Sequence, residues 1–289
     1  MLFRSIKTIN IHGQSDAKEL EKTIYSEASQ YLPYDMDEVN IDYQVLGENK
    51  SDPSGWNVLL VAAHKDIAVE YSSLMRLAGL KLQIIDVDVF ALQNTYNLLM
   101  DQNRESVTLL ADIGASRMSL NIFRGDHSFM VRDIMYGTNK IVEDIAREFG
   151  ISYEDAKQAL IRQNNDISPP NHGTDHDQAH DQDKKRDRIR EISLNIMNSW
   201  CREIIGTLNE FQSEISEAGV ENIVLSGGGA LIDDFKNFPL SRPDMDISII
   251  KPFNSLIIKK KKFSTSFLSK AAPWAGIAIG LALRKVNDK

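Results

Sequence analysis

Cysteine is almost absent from this sequence of 289 residues, which contains a single one, Cys201. One cysteine excludes an intramolecular disulfide framework and is typical of a protein in a reducing compartment. Cys201 lies in the stretch LNIMNSWCREIIGTL, whose pattern is helical. We therefore interpret it as a small buried hydrophobic residue rather than as a nucleophile.

Long apolar runs and an excess of positive charge are also missing. No apolar run approaches the length of a bilayer span, and the first residues, MLFRSIKTINIHGQSD, lack the hydrophobic block of a signal peptide. The formal net charge of −8 argues against a broad basic surface for nucleic acid. These absences predict a cytoplasmic protein that binds no nucleic acid and meets a membrane only through a partner.

Strand and helix patterns alternate along the chain, which predicts the α/β class. Residues 1–88 give the order β-α-β-β-α-β, a split βαβ unit whose last strand is LQIIDVDV. Its first helix should bury Leu20, Ile24 and Ala28, and its second Tyr71 and Leu74. We predict three further segments over 89–136, 137–270 and 271–289, with a helix near 90–100 and another at the C-terminus.

Residues 164–188 break the pattern, because NNDISPPNHGTDHDQAHDQDKKRDR has almost no large apolar side chains. Such a composition predicts a solvated, disordered insertion. His172, His176 and His180 recur there at four-residue spacing among aspartates. A metal site is the functional interpretation, but we favour an exposed polar loop because a metal site needs a rigid scaffold.

The stretch LLADIGASRMSLNIFRG predicts a buried strand, a tight turn and a second strand. Gly114 would let the backbone approach a phosphate, and nearby amides and the Ser116 hydroxyl could donate to its oxygens. Asp112, at the end of the first strand, could hold a Mg²⁺-bound water.

A second glycine-rich turn follows the buried strand NIVLS, where Gly227, Gly228 and Gly229 precede a helix. A flat ring such as adenine could lie against this bare backbone, and a helix N-terminus favours anions. Each turn alone is also compatible with plain turn chemistry. No Walker A pattern, no G-x-G-x-x-G fingerprint and no Ser-His-Asp or Cys-His arrangement is present, so no catalytic residue is assigned.

Taken together, several stretches resemble the PilM family, the actin-like cytoplasmic proteins of type IV pilus assembly, which are related to the cell-division protein FtsA. The resemblance lies in LLADIGASRMSLNIFRGDHSFMVRDIMYGTNKIVEDIAREFGISYEDAKQAL, NIVLSGGGALIDDF, IKPFN and AAPWAGIAIGLALR. The earlier stretches YSEASQYLPYDMDEVNIDYQVLG and VLLVAAHKDIAVEYSSLMRLAGLKLQIIDVDVFAL are similar to the small subdomain 1C of that family. The resemblance implies an actin-like, ribonuclease H-like fold of two lobes.

By this resemblance the chain would bind ATP and Mg²⁺ in a cleft. DIGAS would be the second phosphate loop, SGGGA the adenosine motif and YGTNK a segment beside the nucleotide, while a lysine on the following helix would approach the ribose. The residues so implied are Asp112, Gly114, Ala115, Ser116, Gly137, Asn139, Lys157, Ser226, Gly227, Gly228 and Gly229.

The resemblance also implies a partner. The family grips a short N-terminal segment of the membrane protein PilN in a groove near subdomain 1C, and so couples cytoplasmic components to the inner-membrane platform. This chain would then be a nucleotide-responsive pilus scaffold, peripheral at the inner membrane through its partners. An ATP-independent interaction module and, less favoured, a small-molecule kinase of the same superfamily are the alternatives.

The first phosphate hairpin of the family has no counterpart in this sequence, so we expect lobe one to be incomplete. Donors aimed at a charged phosphate are each worth roughly 1.5–3 kcal/mol. We therefore expect weak or no ATP binding by this chain alone, and ATPase activity that is weak at most. We also expect exposed apolar faces on the helix near 90–100 and on the C-terminal helix.

Overall fold

The computed structural model describes residues 4–12, 17–49, 52–100, 105–165, 176–214, 219–232, 245–258 and 263–286. The chain divides into two compact units. Unit 1 takes in the described residues up to Val87, His127–Val131 and those from Leu281 onward. Unit 2 comprises the described parts of Asp88–Asp126 and Arg132–Gly280.

Unit 1 contains a three-stranded antiparallel sheet in the order β1–β3–β2. The strands are β1 (Arg4–His12), β2 (Val39–Asn49) and β3 (Asp52–His64), and helix α1 (Ala17–Tyr31) connects β1 to β2. The predicted face of α1 is confirmed, because its apolar residues join the core of the sheet. The fully or nearly fully buried members of that core include Ile9, Ile11, Leu20, Ile24, Ala28, Val58 and Leu60.

The second half of unit 1 differs from the prediction. Helix α2 (Lys65–Leu77) buries none of its residues, and Tyr71 and Leu74 are more than half exposed. The last strand was predicted over residues 82–89, but 88–89 begin a helix and 82–87 form a stretch without regular structure. Within and just after this stretch, the carboxylates of Asp86 and Asp88 accept the amides of the residues that follow them, at 2.7 and 3.0 Å. These local bonds compete with a β-ladder for the backbone donors.

A five-stranded sheet has the order β6–β5–β4–β7–β8. Its strands are β4 (Thr108–Ile113), β5 (Met118–Arg124), β6 (His127–Ile134), β7 (Asn222–Ser226) and β8 (Asp246–Ile249). β4 pairs antiparallel with β5 and parallel with β7, and β7 pairs parallel with β8. β4 is therefore a central strand, which explains its almost continuous apolar sequence.

Helix α3 (Asp88–Leu99) is mostly buried, so the expectation of an exposed apolar face there is wrong. Leu92 and Tyr96 pack with Leu110 of β4 and Phe123 of β5. The C-terminal helix α7 (Thr265–Leu283) buries Ala272, Pro273, Gly276 and Gly280 but exposes other apolar side chains, in part as expected.

By length and composition alone, α7 could cross a membrane: it has 19 residues and a mean hydropathy of 1.3. This differs from the sequence prediction, in which no apolar run approaches that length. Length and composition carry little weight here, because core helices of soluble proteins pass the same test.

The prediction of a disordered insertion over 164–188 is wrong for its described part, which is helical. Helix α4 (Asn139–Phe149) is followed by α5 (Tyr153–Asn165), and α6 begins at His176 and runs to Glu214. Arg188 of α6 donates to Glu148 of α4 and to Glu191 of α6, both at 2.7 Å, and the Lys185 ammonium lies 5.1 Å from the centre of the Phe149 ring. These contacts hold the charged part of α6 that precedes its first buried residue, Ile189. Residues 166–175, with His172, lie outside the described part.

Candidate functional site

The two glycine-rich turns leave the sheet side by side. In the parallel register of β4 and β7, Asp112 is opposite Ser226, and each strand ends at or just after that residue. Gly114 follows the end of β4 and Gly227 follows the end of β7. Ligands of α/β proteins commonly bind at this edge, the carboxyl ends of parallel strands.

The first turn joins β4 to β5 in a tight hairpin. The Gly114 amide donates to the Arg117 carbonyl at 2.9 Å, which closes the turn. Ala115 and Ser116 are exposed at its tip. The backbone and hydroxyl of this tip are therefore open to a ligand.

Residues 137–139 pack against this hairpin and stabilise it through backbone hydrogen bonds. The amides of Thr138 and Asn139, at the start of α4, donate to the carbonyls of Gly114 and Ala115 at 3.0 and 2.8 Å. A Cβ at Gly137 would lie 2.3 Å from the Gly114 carbonyl oxygen, so a larger residue cannot stand there without moving the backbone. The side-chain amide of Asn139 also donates to the Ser116 hydroxyl oxygen, at 3.4 Å.

The three glycines of the second turn serve different purposes. Gly227 has φ 79°, and a Cβ there would lie 2.4 Å from the Ile113 carbonyl oxygen. A Cβ at Gly229 would lie 2.2 Å from Cγ2 of Ile113. Gly228 differs, because a Cβ there would meet only the Trp274 indole nitrogen, at 3.7 Å. Gly227 and Gly229 thus permit packing of the turn on β4, whereas a Cβ at Gly228 would make an ordinary van der Waals contact with the indole.

Asp112 lies between the two turns. One of its carboxylate oxygens is 2.9 Å from where a Cβ at Gly227 would stand. Burial raises the pKa of this carboxyl above its ordinary value, and the nearby charge of Asp88 adds to the rise. The neighbouring Ser226 hydroxyl and the charge of Arg117 oppose it. The ionised carboxylate is therefore less favourable here than in water.

This donor set fits Mg²⁺ and phosphate. A divalent ion would stabilise the ionised carboxylate of Asp112. Mg²⁺ is commonly bound by one carboxylate, waters and phosphate oxygens. Within the described ranges, no group of three or more His, Cys, Asp or Glu side chains is placed to hold a metal. Asp112 would thus hold the ion only together with a phosphorylated ligand.

Lys157 stands apart from the other predicted residues. Its ammonium, on α5, is 3.9 Å from Glu154 on the same helix, and its side chain is half exposed. Sequence reasoning missed Tyr153, whose hydroxyl donates to the Asn139 side chain at 2.9 Å and so fixes the residue behind the phosphate hairpin. Tyr153 lies in the stretch SYED, which indicates the start of a helix but no functional role.

Sequence reasoning also missed Asp88, Pro273 and Trp274. Asp88 forms an ion pair with Arg117 of the first turn, and the Pro273 carbonyl accepts from the second turn. These residues are far from the glycines in the chain. The sequence signal for Pro273 and Trp274 was their presence in an otherwise Ala/Gly-rich helix.

A concave surface between α4 and α6 is a poorer candidate. It is lined by Lys140, Asp144, Glu148 and Arg188, among others. Lys140 already pairs with Asp144 at 2.5 Å, and Arg188 pairs with Glu148 at 2.7 Å. These charged side chains pair with one another, which leaves few charged groups available to bind a ligand.

Comparison with known proteins identifies the family. A family model described as type IV pilus assembly protein PilM matches residues 5–171 and 162–286. The chain belongs to this family. A chain of the solved "PilM-PilN type IV pilus biogenesis complex" matches with a TM-score of 0.78 and 23% identity, covering 99% of this chain and 77% of that one. The predicted α/β, actin-like fold class is thereby confirmed.

The relationship to FtsA is also confirmed. The cell division protein FtsA of Escherichia coli K12 is 26% identical over 220 residues, which are 68% of this chain and 50% of that protein. FtsA of Shigella flexneri has the same identity, and the match covers 48% of its length. The chain thus spans about half the length of the curated relatives it matches.

Proposed function

We propose that this chain is a cytoplasmic actin-like scaffold of type IV pilus biogenesis that responds to Mg-ATP. Membership of the PilM family supports the pilus role. The observation that carries the nucleotide role is the convergence of Asp112 and both glycine turns at the ends of β4 and β7. The chain would be peripheral at the inner membrane through its partners.

The proposed partner is the N-terminal cytoplasmic segment of a PilN-like inner-membrane protein. The solved structure whose fold this chain shares is a complex of PilM with PilN, which supports that choice. We place the segment in a groove of unit 1, the proposed counterpart of subdomain 1C. Other pilus assembly components would bind the same scaffold, and nucleic acid would not.

At the nucleotide site, the amides of Gly114–Ser116 and the Ser116 hydroxyl would donate to phosphate oxygens. Asp112 would hold Mg²⁺ through water, and Gly137 and Asn139 would keep the hairpin in place. Gly227, Gly228 and Gly229 would face the nucleoside, while Ser226 fixes their turn and Lys157 approaches the ribose. No residue is assigned as a catalytic base, so the role is that of a switch with weak ATPase activity at most.

The nucleotide role is tested by titrating the chain with Mg-ATP into the millimolar range. Because one hairpin supplies the phosphate donors among the described residues, we expect weak binding, with a Kd of about 0.1–1 mM. Gly228→Val should abolish binding without unfolding the protein, because a side chain there meets only the Trp274 ring edge. Gly206→Val, in open space on α6, is the matched control.

The partner role is tested by binding a peptide from the N-terminus of a PilN-like protein, with and without Mg-ATP. We expect capture by the wild type, an affinity that Mg-ATP changes, and no such change in Gly228→Val. Capture without any nucleotide binding would favour the ATP-independent module. ATP-dependent phosphorylation of a small molecule, without peptide capture, would favour the kinase.

A further inference from the structure

Trp274 is an exposed tryptophan beside the second glycine turn. It follows Pro273 in α7, and its side chain is 60% exposed although its neighbours Ala272 and Pro273 are buried. Among the described residues, the indole N–H has no hydrogen-bond partner. Tryptophan usually buries its ring and pairs its N–H, so this one is available for a ligand.

The backbone next to Trp274 is tied to the turn by two hydrogen bonds. The Pro273 carbonyl accepts from the Gly227 amide and from the Ser226 hydroxyl, both at 3.0 Å. A Cβ at Gly276, just further along α7, would lie 2.5 Å from Leu92, which shows how closely this part of the helix packs. The indole therefore has a defined position relative to the glycines.

The indole and Gly228 border the same space. The indole nitrogen is 3.7 Å from where a Cβ at Gly228 would be, and among the described residues, apart from the chain neighbours of Gly228, no other atom lies within 4 Å of that point. The bare backbone of Gly228 and the indole of Trp274 are both exposed and thus lie side by side at the surface. A flat aromatic ligand entering there would touch both.

We propose that Trp274 is a ligand-binding residue of the nucleotide site and contacts the purine base. This inference rests on the proposed nucleotide role and specifies which part of the ligand this chain recognises through a side chain. Base–aromatic contacts are worth about 1–3 kcal/mol per base on removal of the ring, which corresponds to a loss of affinity of about five-fold or more.

Tryptophan fluorescence provides the direct test. The chain has three tryptophans, of which Trp200 is fully buried and Trp56 lies in β3 of unit 1. We expect Mg-ATP to change the emission of the wild type and of Trp56→Phe, and to leave that of Trp274→Phe unchanged. Mg-tripolyphosphate, which carries no base, should produce no change in any of the three.

Affinity measurements on ring variants complete the test. Trp274→Ala should weaken Mg-ATP binding about five-fold or more, whereas Trp274→Phe should retain most of the affinity. Tripolyphosphate should bind the wild type and Trp274→Ala equally. Phe267→Ala is the matched control, because Phe267 lies two turns earlier on α7 and is 55% exposed. Thermal melts should show all variants folded, since the ring is mostly in solvent.

The outcomes separate this inference from the proposed function. If Mg-ATP binds the wild type and Trp274→Ala with the same affinity, the inference is wrong and the nucleotide role stands. If neither Mg-ATP nor tripolyphosphate binds the wild type, both are overturned. If Phe267→Ala weakens binding as much as Trp274→Ala, the effect belongs to the whole helix, which also contradicts a specific contact.

Discussion

At the scale of single residues, Asp112 connects the stability of the protein with its proposed ligand. Its carboxyl is partly buried at the end of a central strand, and burial raises its pKa above the ordinary value of 3.8. The unfolded chain ionises this group more easily than the folded one does. The negative charge of Asp112, which would attract Mg²⁺, therefore lowers the stability of the folded protein when no cation is bound.

Replacing Asp112 with asparagine should therefore stabilise the protein at neutral pH. The cost of the buried charge is absent below the unfolded pKa and fully present above the raised folded pKa. We expect the Tm of Asp112→Asn to exceed that of the wild type at pH 7. The difference should narrow as the pH falls toward about 4, measured by thermal melts across that range.

The same variant should lose Mg-ATP binding, and excess Mg-ATP should raise the Tm of the wild type only. Asp246→Asn is a suitable control, because Asp246 is an exposed aspartate at the start of β8 in the same sheet. A wild type that is more stable than Asp112→Asn at pH 7 would contradict the account of the buried charge.

The residues of the two turns could be predicted because glycine and aspartate next to a buried strand leave a local signature. Asp112, Gly114 and Gly227 are recognisable within a few positions of the chain. The position of Trp274 beside Gly228 could not be predicted, because it depends on how a helix distant in the sequence packs. Local patterns predict turns, and only the packed fold shows which side chains share their space.

At the scale of elements, the contact between α3 and α7 depends on two glycines of α7. A Cβ at Gly280 would lie 1.6 Å from the Ala91 carbonyl oxygen, which is backbone and cannot give way by itself. A Cβ at Gly276 would meet the tip of the Leu92 side chain, at 2.5 Å, and the next two atoms also belong to side chains. Thr95 of α3 also donates to the Gly276 carbonyl, at 2.6 Å.

Gly280→Ala should accordingly destabilise the protein more than Gly276→Ala. Overpacking typically costs about 1–3 kcal/mol, and we expect the upper end for Gly280→Ala and the lower end for Gly276→Ala. Gly206→Ala makes the same change on α6 in open space and should stabilise by about 0.5–1 kcal/mol. Chemical denaturation measures all three, and equal effects at positions 276 and 280 would contradict the close approach of the backbones.

Element prediction succeeded where periodicity coincides with burial and failed where it does not. Helix α1 shows both, since Leu20, Ile24 and Ala28 recur at helical spacing and are buried. Residues 82–89 alternate like a strand, but they form none. The charged start of α6 has no apolar face, and its ion pairs with α4 lie beyond any local pattern.

At the scale of the whole molecule, each unit has a core of its own. Ile24 is fully buried in the core of unit 1, together with residues of β1 and β3. Leu110 and Phe123 are buried with α3 in unit 2, which also contains every residue of the proposed nucleotide site. A ligand stabilises the state to which it binds, so nucleotide should act on unit 2.

We therefore expect two transitions in scanning calorimetry, which respond to different changes. Mg-ATP at about ten times its Kd should stabilise unit 2 by about 1.4 kcal/mol and raise one transition. Ile24→Ala, which removes buried methyl groups from unit 1, should lower the other by the equivalent of about 2–5 kcal/mol. In Gly228→Val, Mg-ATP should move neither. A single transition that both changes shift would mean that the two cores unfold together, and the ligand's effect would then extend to the unit proposed to bind the PilN-like segment.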